Sequence, residues 1–494
     1  MKPAFKRFFP FLSAFLYLLL TIVLASAQST RYWDGGTADI VTNGDTASSG
    51  GDGTWNTTLL NWDAGASPHV AWVNTNNDIA IFGGTAGTVT LGSNITASIL
   101  QFDTTGYTIG GSSDLTFAGA TRQVNTSTGV SATISARIVG GNTFTKVGTG
   151  TLTLSGNNTL SGGVSLGVGS GTNGGITIAA SNTAFGTGTL TLNQTTGGDT
   201  ILRSDGTNRT FGNSISQAGS FTLGGSSTGN LTFTNTLSLG SLSKTLTVDA
   251  ISVDFQGNIT RGSTNTYTKS GSGTLIISGN ASGFGNTTGC TLAVSAGTAL
   301  INGTLGNGTT NIGNASVASG ATLGGSGTIH GTVNVTGVLA AGNNGVESLR
   351  TRDLTFNNNS TYAYQSDRDA LPSASGDLTA VTGALNLTST VNLTLQDIGG
   401  LGSWAVGDEL TLIGYSGVWN GGLFTYLGNA VADDSTFTFS GIVWNFNYND
   451  TSAGENFTGD LTGLTSFVTM TAIPEPSVAM LGGFGLLMLI RRRR

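Results

Sequence analysis

The body of the chain runs in short stretches that alternate apolar and hydroxyl-bearing residues, among them Thr151-Leu152-Thr153-Leu154 and Leu231-Thr232-Phe233-Thr234. A period of two sends apolar side chains to one face of a strand and hydroxyls to the other. Gly and Asn pairs between the runs supply the left-handed backbone positions that tight turns require. Of six prolines, two, Pro68 and Pro372, interrupt this body, which suits continuous hydrogen-bond ladders. No amphipathic helical pattern appears between residue 27 and the C-terminal tail. The pattern predicts an all-β chain of many short strands.

Internal repetition says how those strands are arranged. Phe144-Thr145-Lys146, Gly148, Gly150-Thr151-Leu152, Leu154 and Ser155-Gly156-Asn157 return 123 residues later. There they read Tyr267-Thr268-Lys269, Gly271, Gly273-Thr274-Leu275, Ile277 and Ser278-Gly279-Asn280. The Gly-x-Gly-Thr-Leu/Ile core also begins at Gly186 and Gly325. These segments, about a third of the chain, resemble the autotransporter-associated β-strand repeat. The second copy departs from the pattern after Asn280. The resemblance implies a right-handed parallel β-helix, or β-solenoid, of the passenger type. One rung cannot bury its apolar face alone, whereas stacked rungs share a core and satisfy each other's backbone. Rungs of roughly 20 residues, about 4.8 Å apart, would make a rod on the order of 100 Å long.

The two ends of the chain differ from this body. Lys2, Lys6 and Arg7 precede an apolar run, Phe8 to Leu24, that ends in Ala25-Ser26-Ala27. That is the layout of a secretory signal peptide read by the Sec export machinery, with Gln28 as the mature N-terminus. At the other end Pro474-Glu475-Pro476 is followed by apolar residues Ser477 to Ile490 and then by Arg491, Arg492, Arg493 and Arg494. Prolines flanking Glu475 hold the tripeptide extended. At about 1.5 Å per residue the apolar stretch makes roughly 21 Å of helix, short of a hydrocarbon core of about 30 Å. The arginines hold their end on the cytoplasmic side. Motif, apolar segment and basic cluster together resemble the PEP-CTERM sorting signal. The resemblance implies recognition by an exosortase-type sorting protease, a transient inner-membrane intermediate, and delivery to the cell surface or extracellular matrix. An ordinary C-terminal anchor is the alternative. The expected divisions are residues 1–27 (signal peptide), 28–105 (Trp-rich cap), 106–345 (repeats), 346–470 (acidic C-terminal β region) and 471–494 (sorting signal with its transmembrane helix). Such a chain leaves no room for the membrane β-barrel of a complete autotransporter.

Charge narrows the partners. Residues 28–476 keep 12 basic against 26 acidic residues, a net charge of −14, which argues against nucleic acid. Cys290 stands alone, so no intramolecular disulfide forms, and a small buried residue is the expected role.

Four of the seven tryptophans, Trp33, Trp55, Trp62 and Trp72, fall within residues 32–102. This layout resembles the N-terminal segment that precedes such repeats in surface proteins, and the expected role is an aromatic cap on the first rung. The rival is a platform on which Trp55, Trp62 and Trp72 stack against extracellular polysaccharide. Residues 369–470 hold ten acidic residues and no Lys or Arg. Asp408, Glu409, Asp433 and Asp434 offer oxygens to Ca²⁺, yet their spacing fits no known calcium loop, and a solvated acidic surface is the default.

No catalytic residues, metal ligands or cofactors are assigned. His69 and His330 are far apart, and no zinc-protease, paired-Cys or nucleophile-elbow motif occurs. The nearest thing to an acid–base site is the cluster Glu347, Arg350, Arg352, Asp353, Asp367, Arg368 and Asp369, for which surface ion pairs are the simpler account. The chain reads as an exported, non-enzymatic structural protein. A glycan-binding adhesin comes second and a polysaccharide-degrading enzyme third.

Overall fold

The computed structural model describes residues 28–35, 43–168, 173–193, 200–261, 265–285, 288–342, 345–370, 376–399, 404–454, 456 and 460–474. Among them there are short strands and two 3₁₀ turns but no α-helix.

The strands coil into a parallel β-solenoid. Ile79–Phe82 pairs in parallel with Ile99–Phe102, and that strand with Gln123–Thr126, each partner one turn further along the chain. A 15-stranded sheet runs from Gly53–Trp55 to Leu385–Leu387, taking one strand per turn. At about 4.8 Å per strand it is about 70 Å long. This is shorter than the rod expected above, because several turns run well beyond 20 residues, 26 from Val164 to Leu190 and 36 from Gly53 to Val89. A 12-stranded sheet forms a second face as far as Gly283–Phe284, where a nine-stranded sheet beginning at Asn280–Ala281 takes over. The third face carries a three-stranded sheet, Ile95–Ala97 to Arg137–Val139, and later an 11-stranded one that starts at Arg209–Phe211. Ladders cross both residue 105 and residue 345 without a break.

Alternation works as the pattern requires. In Thr151–Leu154 the leucines are buried and the threonines half-buried. Equivalent apolar positions stack from turn to turn, and one core cluster extends from Trp33 to Ala472. Phe185, Phe211, Phe233 and Phe255 form a column with ring centroids 5.3, 5.4 and 5.3 Å apart.

The repeated motif is a corner. Lys146 follows Phe144 by two residues and therefore points inward, where it is fully buried. Its ammonium donates to the carbonyls of Val147 (2.8 Å), Gly148 (2.9 Å) and Gly174 (2.8 Å), tying the turn to the rung above. Burial pushes its pKa down to about 7. Lys269 repeats the arrangement with the carbonyls of Gly271 (2.7 Å), Gly273 (2.6 Å) and Ala296 (2.8 Å). Gly148 permits the turn because φ is +80° and a Cβ there would lie 2.2 Å from the Thr126 carbonyl oxygen. The two copies occupy different corners. The first joins the 12-stranded to the 15-stranded sheet, the second the 15-stranded to the 11-stranded sheet.

The C-terminal end closes with antiparallel strands. Glu409–Tyr415 pairs with Ser466–Ile473, which pairs with Ile442–Asp450, itself followed by Ser435–Phe439. Trp419 stacks flat on Tyr448 at 4.8 Å beneath them. Unpaired parallel edges invite association, and these reversals cover the solenoid end.

Candidate functional site

The Trp-rich segment is built around one buried cluster. Trp62–Asp63 runs antiparallel to Thr30–Trp33 at the outer edge of the 12-stranded sheet. Gly53–Trp55 forms the outer edge of the 15-stranded sheet. From these edges Trp62 packs on Trp33 (5.1 Å), Trp55 (4.9 Å) and Trp72 (4.8 Å). All four indoles are at most 1% exposed. A sugar ring needs an open aromatic face, so burial counts against the rival reading in which Trp55, Trp62 and Trp72 stack on glycan.

The terminal signals fall largely outside the described residues: Ala25, Ala27, Glu475, Pro476 and Arg491 to Arg494 all do, as do the predicted signal peptide and sorting helix. Among the described residues no helix is long and apolar enough to cross a membrane. Gln28 is exposed, and its side chain donates to the Asn77 carbonyl at 3.2 Å. Pro474 is exposed immediately after the strand Ser466–Ile473.

The charged cluster at 347–369 is dispersed. Arg352 pairs with Asp353 at 3.0 Å, and Arg368 reaches Asp408 at 3.3 Å while lying over the Trp404 ring. Arg350 donates to the Asp460 carbonyl at 3.1 Å. Asp353 precedes a strand of the 15-stranded sheet, whereas Asp367 follows a strand of the 11-stranded one, so the fold places the two residues beside different faces of the solenoid. Of the calcium candidates, Asp433 accepts from the Tyr448 amide at 2.9 Å, Asp434 from Asn447 at 3.1 Å and Asp408 from the Ala405 amide at 2.7 Å, while Glu409 Oε1 is buried without a hydrogen bond.

Two features escaped the sequence reading. Asp377 is fully buried, accepts the amides of Glu347 (3.0 Å) and Gln365 (2.9 Å), and has its carboxyl pushed up to about 7, chiefly by burial. Its apolar neighbours Leu378 and Val381 were the available signal. Cys290 is buried as expected, but its sulfur also accepts from Arg261 Nε at 3.1 Å. Burial pushes the thiol up.

What the solenoid presents outward is hydroxyl-rich. Thr145, Ser165, Thr191, Ser216, Ser238 and Thr260 align across six successive strands of one sheet. On the 11-stranded sheet a shallow groove of about 570 Å³ crosses the strands, with Thr274, Thr298 and Thr322 in one column and Gln365 and Gln396 at its far end. Such a surface can hydrogen-bond along its length but contains no convergent catalytic group.

No family model matches the chain. A stretch of 152 residues, 30% of the chain, is 45% identical to the protein named adhesin BmaC autotransporter of Brucella suis biovar 1 (strain 1330). The chain spans 4% of that protein's length. The likeness is therefore to one segment of a much longer protein named as an autotransporter.

Proposed function

We propose that this chain is an exported, non-enzymatic, adhesin-like β-solenoid of the cell surface or extracellular matrix, sorted there through a PEP-CTERM signal. The observation that carries the role is the 152-residue likeness to a protein named as an adhesin, on a fold that exposes long polar ladders. The sorting step rests on the sequence of residues 474–494 and draws support from the exposure of Pro474 at a strand exit, where a membrane protease of the exosortase type would have access. The intact mass of the protein from its native host's envelope and medium tests this. A start at Gln28 and an end near Pro476 is expected; a mass that retains Arg494 overturns the sorting step.

A second reading, glycan binding, draws on the groove rather than the tryptophans. A glycan array with Thr298→Val and Thr322→Val tests it. Specific binding that these substitutions abolish in a folded protein would favour glycan recognition, and an array without signal would remove it.

A further inference from the structure

Three side chains with metal-ligating chemistry meet inside the N-terminal end of the solenoid. Asp34 follows the strand Thr30–Trp33, Asp63 ends the antiparallel strand beside it, and His69 precedes the Val70 bridge to Trp62. One ligand atom from each lies within 4.8 Å of the others, and all three residues are at most 2% exposed. His69 Nε2 stands 3.4 Å from Asp34 Oδ2, and neither ring nitrogen of His69 makes a hydrogen bond. A buried imidazole without a hydrogen bond is costly unless something else fills its lone pair.

The carboxylates are already oriented. Asp63 accepts the amides of Thr46 (2.7 Å) and Gly65 (2.6 Å), and Asp34 accepts that of Ser49 (2.5 Å). Amide donors fix a carboxylate's orientation, as supporting groups do around bound metals, and each oxygen that accepts one amide keeps a second lone pair. Among the described residues no Lys or Arg pairs with Asp63. A dication would neutralise negative charge that the dry tryptophan cluster cannot solvate. Ligand bonds of about 2.1 Å in a tetrahedral site separate neighbouring donors by roughly 3.4 Å, which is the Asp34–His69 spacing.

We propose that Asp34, Asp63 and His69 bind a divalent transition-metal ion through one imidazole nitrogen and two carboxylate oxygens, locking three separate segments of the N-terminal end together. With all three donors at most 2% exposed, its role is structural, and Zn²⁺ is the probe of choice.

The protein from its native host would be equilibrated with excess Zn²⁺, gel-filtered and assayed for metal by mass spectrometry, beside His69→Gln and Asp63→Asn. One Zn²⁺ per chain is expected in the parent, with at least a tenfold loss in both variants and a melting temperature raised by Zn²⁺ in the parent alone. Should the variants not fold, Co²⁺ is loaded into the parent. Visible bands of tetrahedral N/O-coordinated cobalt support the site, whereas the spectrum of aqueous Co²⁺ overturns it. A parent that retains no Zn²⁺ and melts unchanged overturns it too, leaving a proton-bridged His–Asp pair. Equal Zn²⁺ in parent and His69→Gln would move the metal elsewhere and overturn the assignment.

Discussion

Replacing Lys146 by Met keeps the length of the side chain and removes its ammonium. Three carbonyls, those of Val147, Gly148 and Gly174, then lose donors at 2.8 to 2.9 Å. At about 1–2 kcal/mol for each unsatisfied buried acceptor, the variant should lose roughly 3–6 kcal/mol. Against this stands the difficulty of burying the charge. Lowering the pKa from 10.5 to about 7 disfavours the ammonium by roughly 5 kcal/mol. Because the folded pKa lies below the unfolded one, the unfolded chain holds more protons between pH 7 and 10.5. The stability lysine contributes is therefore complete above about pH 10.5 and lost as pH falls towards 7. Near pH 7 the two effects nearly cancel; at pH 10 the side chain is a neutral amine with two N–H donors, so the loss of two carbonyl bonds, roughly 2–4 kcal/mol, remains. Urea unfolding of parent and Lys146→Met at the two pH values measures this. The difference in unfolding free energy should grow by about 4 kcal/mol from pH 7 to pH 10. A difference that is the same at both, within about 0.5 kcal/mol, would show that the carbonyl cage holds the lysine charged and would refute the reasoning.

Three further outcomes follow from the packing. Trp62→Ala removes the indole that touches Trp33, Trp55 and Trp72, so unfolding free energy should fall by about 3–5 kcal/mol, read by tryptophan emission during denaturation. Asp377, with its folded pKa raised to about 7, contributes stability that is complete below about pH 4 and lost as pH rises through 7. Relative to Asp377→Asn, the parent should lose about 4 kcal/mol across that window in pH-dependent unfolding, and parallel curves would contradict the assignment. Cys290, buried and with its thiol pushed up, should resist a thiol reagent in the native protein and react stoichiometrically in denaturant.

The architecture was legible because alternation and repetition are local. A Leu or Phe at every second position declares an inward face, and the Gly-x-Gly corners declare where the strand ends. The same parity also marks Lys146 as inward, two residues from Phe144, though a charged residue invites the opposite assignment. Alternation does not carry its own phase. Ile176 and Ile178 look like core residues, yet they point outward, while Thr177 sits inside opposite Leu152. Register with the preceding rung decides that, and register is a property of pairs of rungs. Nor could composition separate a tryptophan cluster turned inward from one turned outward. The meeting of Asp34, Asp63 and His69 was invisible for a similar reason: it depends on an antiparallel strand and a loop returning to the same edge, and no spacing along the chain encodes that.

The displacement of the repeated corner from one pair of faces to the next bears on how such a chain can change its length. Five turns separate Thr151–Leu154 from Tyr267–Ser270 along the 15-stranded sheet, yet the motif copies are one face out of phase. Recombination between the copies would delete residues 144–266 and regenerate an intact corner at the junction. The product would be shorter by five turns and one face, so everything beyond the junction would also swing round the axis. In this protein the unit of duplication is not the unit of stacking. Gene-level changes of length would therefore re-aim the distal end relative to the tryptophan end, altering direction and reach in a single step.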